Sequence, residues 1–289
     1  MIKRKIIEIL LNQYTSINNS NSSGIVNLHR LDTGNVGDLM CAPYLYFKEL
    51  QDYRKLDILS YEKSISDTIK FSDKLLNNDI VVGGGGLLDR KTFKAPISIT
   101  QKLAKKGTKV IYWGIGHNNP NLTPSNLFLQ QIDNIPIVGI RDYNVKIKNV
   151  DWVPCVSCMN DVFDKTREIE NEVSFLIHEH IPIDGIDNTM PILYNNSTFE
   201  QIIEFISKTE TLVTNSYHGM YWATLLEKKV IVIPNSSKMY SMKYEIPKIK
   251  DVAEYKAKIS SAHVISGFLE ECREANLKFS EKVFNYLNI

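Results

Sequence analysis

Neither sign of charge dominates this chain of 289 residues: 34 Lys and Arg against 33 Asp and Glu leave a formal +1. That balance excludes a bulk electrostatic grip on nucleic acid, which shows as a basic total or a basic stripe. Long apolar runs are missing too. None approaches the ~18 residues of a membrane span, and residues 1–11 carry no small-residue cleavage site, so neither an integral membrane protein nor a secreted one is expected. Four cysteines in a chain of this length do not make a disulfide scaffold. There is no G-x-G-x-x-G fingerprint and no phosphate loop ending in Gly-Lys-Ser/Thr, so nicotinamide and ATP chemistry gain no support. Repeats with a period of about 20–50 residues and long low-complexity linkers are also absent. With 43% apolar and 23% charged residues, the expectation is a globular protein of two domains in a reducing compartment, the cytoplasm.

The apolar pattern alternates between two periods. Ile2, Ile6, Ile7, Leu10, Leu11 and Tyr14 recur at helical spacing and predict an amphipathic first helix, with Lys3, Arg4 and Lys5 near its start. Such a helix suits peripheral contact with anionic lipid at the inner face of a membrane; a surface helix packing its stripe on the protein has the same pattern. Apolar runs at 25–28, 56–59, 80–82, 110–113 and 137–140 then read as strands, with helical patterns between most of them, including 39–50 and 97–105. A second series follows, with strands at 173–177, 211–214 and 230–233, helices at 199–208 and 217–227, and a last apolar helix around 265–287. Strands alternating with helices predict α/β architecture with mostly parallel sheets. Two α/β domains, 1–150 and 151–289, are expected to face a cleft, with the last helix free to return to the first. Ligands in such sheets gather at the C-terminal ends of the strands.

Four turns at those ends hold the unusual residues. Asn35-Val36-Gly37-Asp38 follows the first strand; Asp38 suits a helix cap, and Asn35 and Asp38 also suit hydrogen bonding to a hydroxylated ligand. Gly83, Gly84, Gly85 and Gly86 follow the third strand and leave main-chain N–H groups open to an anion, although glycines also allow tight packing. Gly139-Ile140-Arg141-Asp142 places a planar guanidinium where a strand gives way to a helix; it suits a carboxylate or phosphate, or an ion pair with Asp142. Thr214-Asn215-Ser216-Tyr217-His218-Gly219 makes Ser216 the natural N-cap and puts His218 in the first helical turn, where an imidazole can exchange a proton with an anionic substrate. Two further patterns have metal or redox spacing. Cys155-Val156-Ser157-Cys158 lacks a second cysteine pair, because Cys41 and Cys272 stand alone in the sequence, and reads as adjacent thiols. His178-Glu179-His180 lacks a nearby third ligand, so no metal is expected, while His178 remains a candidate ligand contact.

These pieces, in this order, resemble the polysaccharide pyruvyl transferases: Asn35-Val36-Gly37-Asp38, the glycine run with Leu87, Gly139-Ile140-Arg141-Asp142, and Ser216-Tyr217-His218-Gly219 ahead of Ala223 and the strand at 230–234. The resemblance implies that the two domains are Rossmann-like and face the cleft in a GT-B-like arrangement. It also implies transfer of pyruvate from phosphoenolpyruvate onto two hydroxyls of a sugar, with no cofactor beyond that donor substrate. Arg141 and the amides of Gly83–Gly86 would then meet the donor's anions and His218 would move the proton. Asn35 and Asp38 would meet a sugar acceptor, lipid-linked or nucleotide-linked, with Asp38 joining His218 and Arg141 as catalytic groups and Ser216 and His178 lining the site. One departure is Ser216 itself: some members carry an arginine two positions before the histidine, which shifts the donor's anion onto Arg141. A glycosyltransferase with a nucleotide-sugar donor and a non-catalytic carbohydrate-binding protein remain the rival classes.

Overall fold

A computed structural model describes Ile9, Gln13 and residues 24–289 other than 63 and 166. The amphipathic helix expected near the N-terminus therefore lies, apart from Ile9 and Gln13, outside the described residues. No helix among the described residues is long and apolar enough to cross a membrane.

The alternation in the sequence becomes two parallel sheets, and the expected α/β class is what the structure has. The first contains β1 (Ile25–His29), β2 (Arg54–Asp57), β3 (Asp79–Val82), β4 (Gly85–Leu88), β5 (Val110–His117), β6 (Ile137–Ile140) and β7 (Asp151–Trp152). Its order is β2-β1-β3-β5-β6-β7, with β4 also on β5. The second contains β8 (Asn171–Ile177), β9 (Ile192–Tyr194), β10 (Thr209–Thr214) and β11 (Lys229–Val232), in the order β11-β10-β8-β9. All the pairings are parallel. β3 and β5 are buried at every position, which is why they read as unbroken apolar runs rather than alternating ones.

The helices are α1 (Val36–Leu39), α2 (Lys48–Gln51), α3 (Ile65–Leu76), α4 (Lys94–Lys105), α5 (Leu127–Ile132), α6 (Phe199–Ser207), α7 (Tyr217–Leu225), α8 (Tyr255–Lys258) and α9 (Phe268–Leu287). Local chemistry sets their starts. Ser64 caps α3, Thr198 and Gln201 close a reciprocal capping box on α6, and Ser216 caps α7 as its sequence predicts.

Three local expectations are corrected. The helix read over 39–50 is broken into α1, a 3-10 turn at Pro43–Leu45 and α2, because Pro43 has no N–H to donate and holds Ala42 in extended backbone. No helix follows Asp142; the chain turns instead towards β7. The glycine run is not a free loop. β3 pairs with the first half of β5 and β4 with its second half, so Gly83 and Gly84 are the step between two strands on one edge.

α9 ties the two sheets together. Phe268, Leu269 and Cys272 pack in the cluster that holds α6 and α7, whereas Phe279, Val283 and Leu287 pack against Ile25, Val81, Ile111, Trp113 and Ile137 of the first sheet. Between these halves lies fully buried Asn276. Its side-chain oxygen accepts the Trp113 indole N–H at 2.9 Å, and its amide nitrogen donates to the carbonyls of Cys272 at 2.9 Å and Pro154 at 3.3 Å. Replacing Asn276 by Ala strands the indole N–H in an apolar cluster. The expected cost is about 1–3 kcal/mol, seen as a lower urea midpoint with an unchanged slope.

Candidate active site

The C-terminal ends of β1, β4, β5, β6, β8 and β10 all open on one cavity of ≈ 290 Å³. Of the residues singled out in the sequence, Asn35, Asp38, Gly86, Arg141, His178, Ser216 and His218 line it. Gly83, Gly84 and Gly85 do not. The Gly83 N–H donates to the Leu28 carbonyl at 3.0 Å and the Gly84 N–H to the Cys41 carbonyl at 2.9 Å, so these two amides are spent on the fold and are not open to an anion. Glycine is needed there for other reasons: Gly85 has φ +106°, and a Cβ on Gly84 would sit 2.9 Å from the Gly114 carbonyl.

Arg141 is the electrostatic centre. It is buried, its Nε and Nη1 have no hydrogen-bond partner, and its guanidinium lies 4.0 Å from the centre of the Tyr217 ring. Gly116 and Gly86 leave it room, since a Cβ on them would come within 2.5 Å of Nε and 3.2 Å of Nη2 respectively. The ion pair with Asp142 that the sequence allows is not made. Asp142 accepts the His117 backbone N–H at 2.8 Å and faces the His117 ring at 3.7 Å. A buried cation with unused donors, aimed at a cavity, is a site prepared for an anion.

Sequence reasoning missed three further cations in the lining: Arg30, Arg90 and Lys238. Arg30 is already engaged with Asp57 at 3.3 Å. Lys238 is held in place by its neighbour: Ser237 Oγ contacts His117 Nδ1 at 2.7 Å and accepts the Asn119 N–H at 2.8 Å, docking the 3-10 turn Ser237–Tyr240 on the first sheet's loops. Burial first, then the Arg141 charge, push the Lys238 ammonium down to about 8. No local motif marks Lys238, because its position is set by a contact 120 residues away in the chain.

Asn35, not Asp38, caps α1; its side-chain oxygen accepts the Gly37 N–H at 3.1 Å, while its amide lies 3.4 Å from an Asp38 carboxylate oxygen. Gly37 serves a close approach rather than a turn, since a Cβ there would lie 2.0 Å from His218 Nδ1. His178 follows the end of β8, its Nδ1 accepting the His180 N–H at 3.2 Å, so the neutral ring carries its proton on Nε2. Burial and the Lys238 charge hold its pKa below the ordinary imidazole value. His180 is exposed and contacts Glu179 at 3.4 Å, so this trio does not converge as ligands.

The cysteines are arranged otherwise than their spacing suggests. Cys158 points away, with Sγ 3.4 Å from the Asn276 amide, and burial pushes its thiol up to about 12. Cys41, alone in the sequence, lies with Sγ 3.6 Å from Cys155 Sγ, and His218 Nε2 is 3.3 Å from Cys41 Sγ and 3.7 Å from Cys155 Sγ. Burial opposes the Cys155 thiolate, but hydrogen bonds from Cys41 and His218 outweigh it and hold that thiol well below the usual range. Nε2 is thus turned to the thiols and Nδ1 to Gly37.

A family model described as polysaccharide pyruvyl transferase matches residues 33–237. That span holds all the cavity residues discussed above except Arg30 and Lys238. No curated protein matches the chain.

Two substitutions test this geometry. Arg141→Met should keep the fold while calorimetry loses the binding of phosphate-bearing anions, because the guanidinium with unused donors is gone. Gly37→Ala should displace the His218 ring and cost about 1–3 kcal/mol by overpacking; an unmoved His218 imidazole resonance would contradict the contact.

Proposed function

The chain belongs to the polysaccharide pyruvyl transferase family, and on that premise we propose that it moves pyruvate from phosphoenolpyruvate onto two hydroxyls of one sugar, closing a ketal and releasing phosphate. The observation that carries this reading is Arg141, a buried guanidinium without hydrogen-bond partners on two nitrogens, beside Lys238 and Arg90 in the same cavity. A compact donor bearing both a carboxylate and a phosphate matches such a cluster better than a neutral sugar does.

The steps follow from the donor's chemistry. A proton added to C3 turns the methylene into a methyl group and leaves C2 electron-poor. One sugar hydroxyl adds to C2 and gives up its proton, the C2–O bond to phosphate breaks, and the second hydroxyl adds to the same carbon as its proton passes to the departing phosphate. Arg141 and Lys238 hold the donor's anions, and their charge steadies the phosphate as it leaves. His218 supplies the proton to C3, Asp38 takes the proton from the attacking hydroxyl, and Asn35 and neutral His178 orient the acceptor. Ser216 fixes His218 through the α7 cap. The Gly86 backbone lies beside the donor, and the Gly83 and Gly84 amides have no part in it. In this reading the two sheets are the cores of two Rossmann-like domains, 1–150 and 151–289, facing the cavity in the GT-B manner. The acceptor is a lipid-linked or nucleotide-linked glycan met in the cytoplasm at the inner face of a membrane.

Incubation with phosphoenolpyruvate and such glycans should release phosphate and add the pyruvyl mass to the acceptor. Binding of nucleotide sugars without binding of phosphoenolpyruvate would overturn the proposal in favour of a glycosyltransferase. Arg141→Ala should chiefly weaken donor binding, by about 1.5–3 kcal/mol in calorimetry. Folded His218→Ala should keep donor binding and lose about 10²–10⁴-fold in turnover.

Lys238 adds a pH signature. Its ammonium is charged below about 8 and neutral above, so donor affinity should fall as pH rises from 7 to 9. That fall should vanish in Lys238→Gln, which binds weakly at both values.

A further inference from the structure

We propose that Cys41, Cys155 and His218 form a site for one thiophilic dication of the zinc class, and that this ion, when bound, withdraws His218 from proton transfer. The three side chains are buried, and their ligand atoms lie within 4.8 Å of one another. Around a tetrahedral ion, metal–sulfur bonds of about 2.3 Å and a metal–nitrogen bond of about 2.0–2.1 Å give a sulfur–sulfur edge of about 3.8 Å and sulfur–nitrogen edges of about 3.6 Å. The corresponding separations here are 3.6 Å between the sulfurs and 3.3 and 3.7 Å to Nε2. Three edges of a coordination tetrahedron are thus present within about 0.3 Å.

The three ligands are positioned independently, so an ion does not have to assemble them. Cys41 follows α1, where its Sγ contacts the Gly37 carbonyl at 3.0 Å. Cys155 leads into the 3-10 turn Val156–Met159, whose Ser157 Oγ stands 3.2 Å from the Cys155 sulfur. His218 is fixed on α7, its ring 5.2 Å from that of Trp222. Charge argues for a dication. Two thiolates, a neutral imidazole and an M²⁺ ion sum to zero, which suits a buried position where an uncompensated charge is strongly unfavourable. Thiolate and imidazole donors select zinc-like ions over magnesium or calcium.

The consequence for function rests on the pyruvyl-transfer reading. An ion on Nε2 leaves Nδ1 permanently protonated, so the imidazole can donate a hydrogen bond but can no longer cycle a proton. The anion cluster around Arg141 is left intact. The loaded chain should therefore bind phosphoenolpyruvate and fail to turn it over.

The full-length protein, stripped with a chelator and kept under a non-thiol reductant, is titrated with Co²⁺. The expected result is tetrahedral d–d absorption together with a thiolate-to-cobalt charge-transfer band, at one ion per chain and displaced by Zn²⁺. Cys41→Ser and Cys155→Ser should each lower affinity by at least about 10-fold, because losing even an outer partner of a metal ligand costs that much. Cys158→Ser and Cys272→Ser should not. Absence of the charge-transfer band in the unmodified protein, or an unchanged cobalt affinity in Cys41→Ser, overturns the site. In the activity arm, Zn²⁺ should abolish phosphate release while calorimetry still detects phosphoenolpyruvate, and chelator should restore it. Equal turnover of loaded and stripped protein overturns the inhibitory role. If neither form releases phosphate while cobalt binds as described, the pyruvyl-transfer reading fails and the metal site stands.

Discussion

A guanidinium held out of water with two of its nitrogens unpaired is the constraint around which this molecule is organised. An unpaired buried charge opposes folding, so the surroundings must hold it there. Gly86 and Gly116 have no side chains to displace the Arg141 group, and Tyr217 from the second sheet's α7 offers its ring face to the cation. Asp142, the nearest carboxylate in sequence, gives one oxygen to the His117 backbone and favours the Arg141 cation by its charge without a hydrogen bond to it. The result is a cavity that gathers Arg90, Arg141 and Lys238 on its lining.

Such a site requires that both sheets keep their relative position. α9 does this mechanically, with one half in each apolar cluster and Asn276 bonded across the junction. A second polar tie runs from Asp142 through His117 to Ser237, and it delivers Lys238 to the same cavity as Arg141. Packing and chemistry are therefore linked: the contacts that join the halves also set the distances between the charges. His218 shows the same dependence, because Gly37 of the first half has to lack a side chain for the imidazole of the second half to fit.

Much of this architecture is legible in the chain. Unbroken apolar runs separated by helical periods belong to parallel strands covered on both faces, and they lie close to β1, β3, β5, β6, β8, β10 and β11. The turns at 35–38, 141 and 216–218 stand out because polar residues follow a strand there, with helix caps at Asn35 and Ser216, and in a parallel sheet those ends share one edge. Local pattern misleads where tertiary context overrides it. The helical period across 39–50 is defeated by Pro43. Of four glycine amides that look open, two are claimed by the carbonyls of Leu28 and Cys41. The Cys-x-x-Cys pair dissolves because Cys158 faces α9 and Cys155 faces Cys41.

Read along the chain alone, the residues already carry the α/β class and the polar turns, Arg141 and His218 among them, that meet in one cavity. These are local properties, written in periodicity, caps and charge within a few residues. Folding adds which groups share a cavity, that two Arg141 nitrogens have no hydrogen-bond partner, that Lys238 joins it, and that Cys41, Cys155 and His218 meet. Those facts depend on side chains brought together across the joined sheets, from positions 63 to 177 residues apart in the case of the thiol–imidazole cluster. Contacts over such separations are set by packing and leave no motif in the chain.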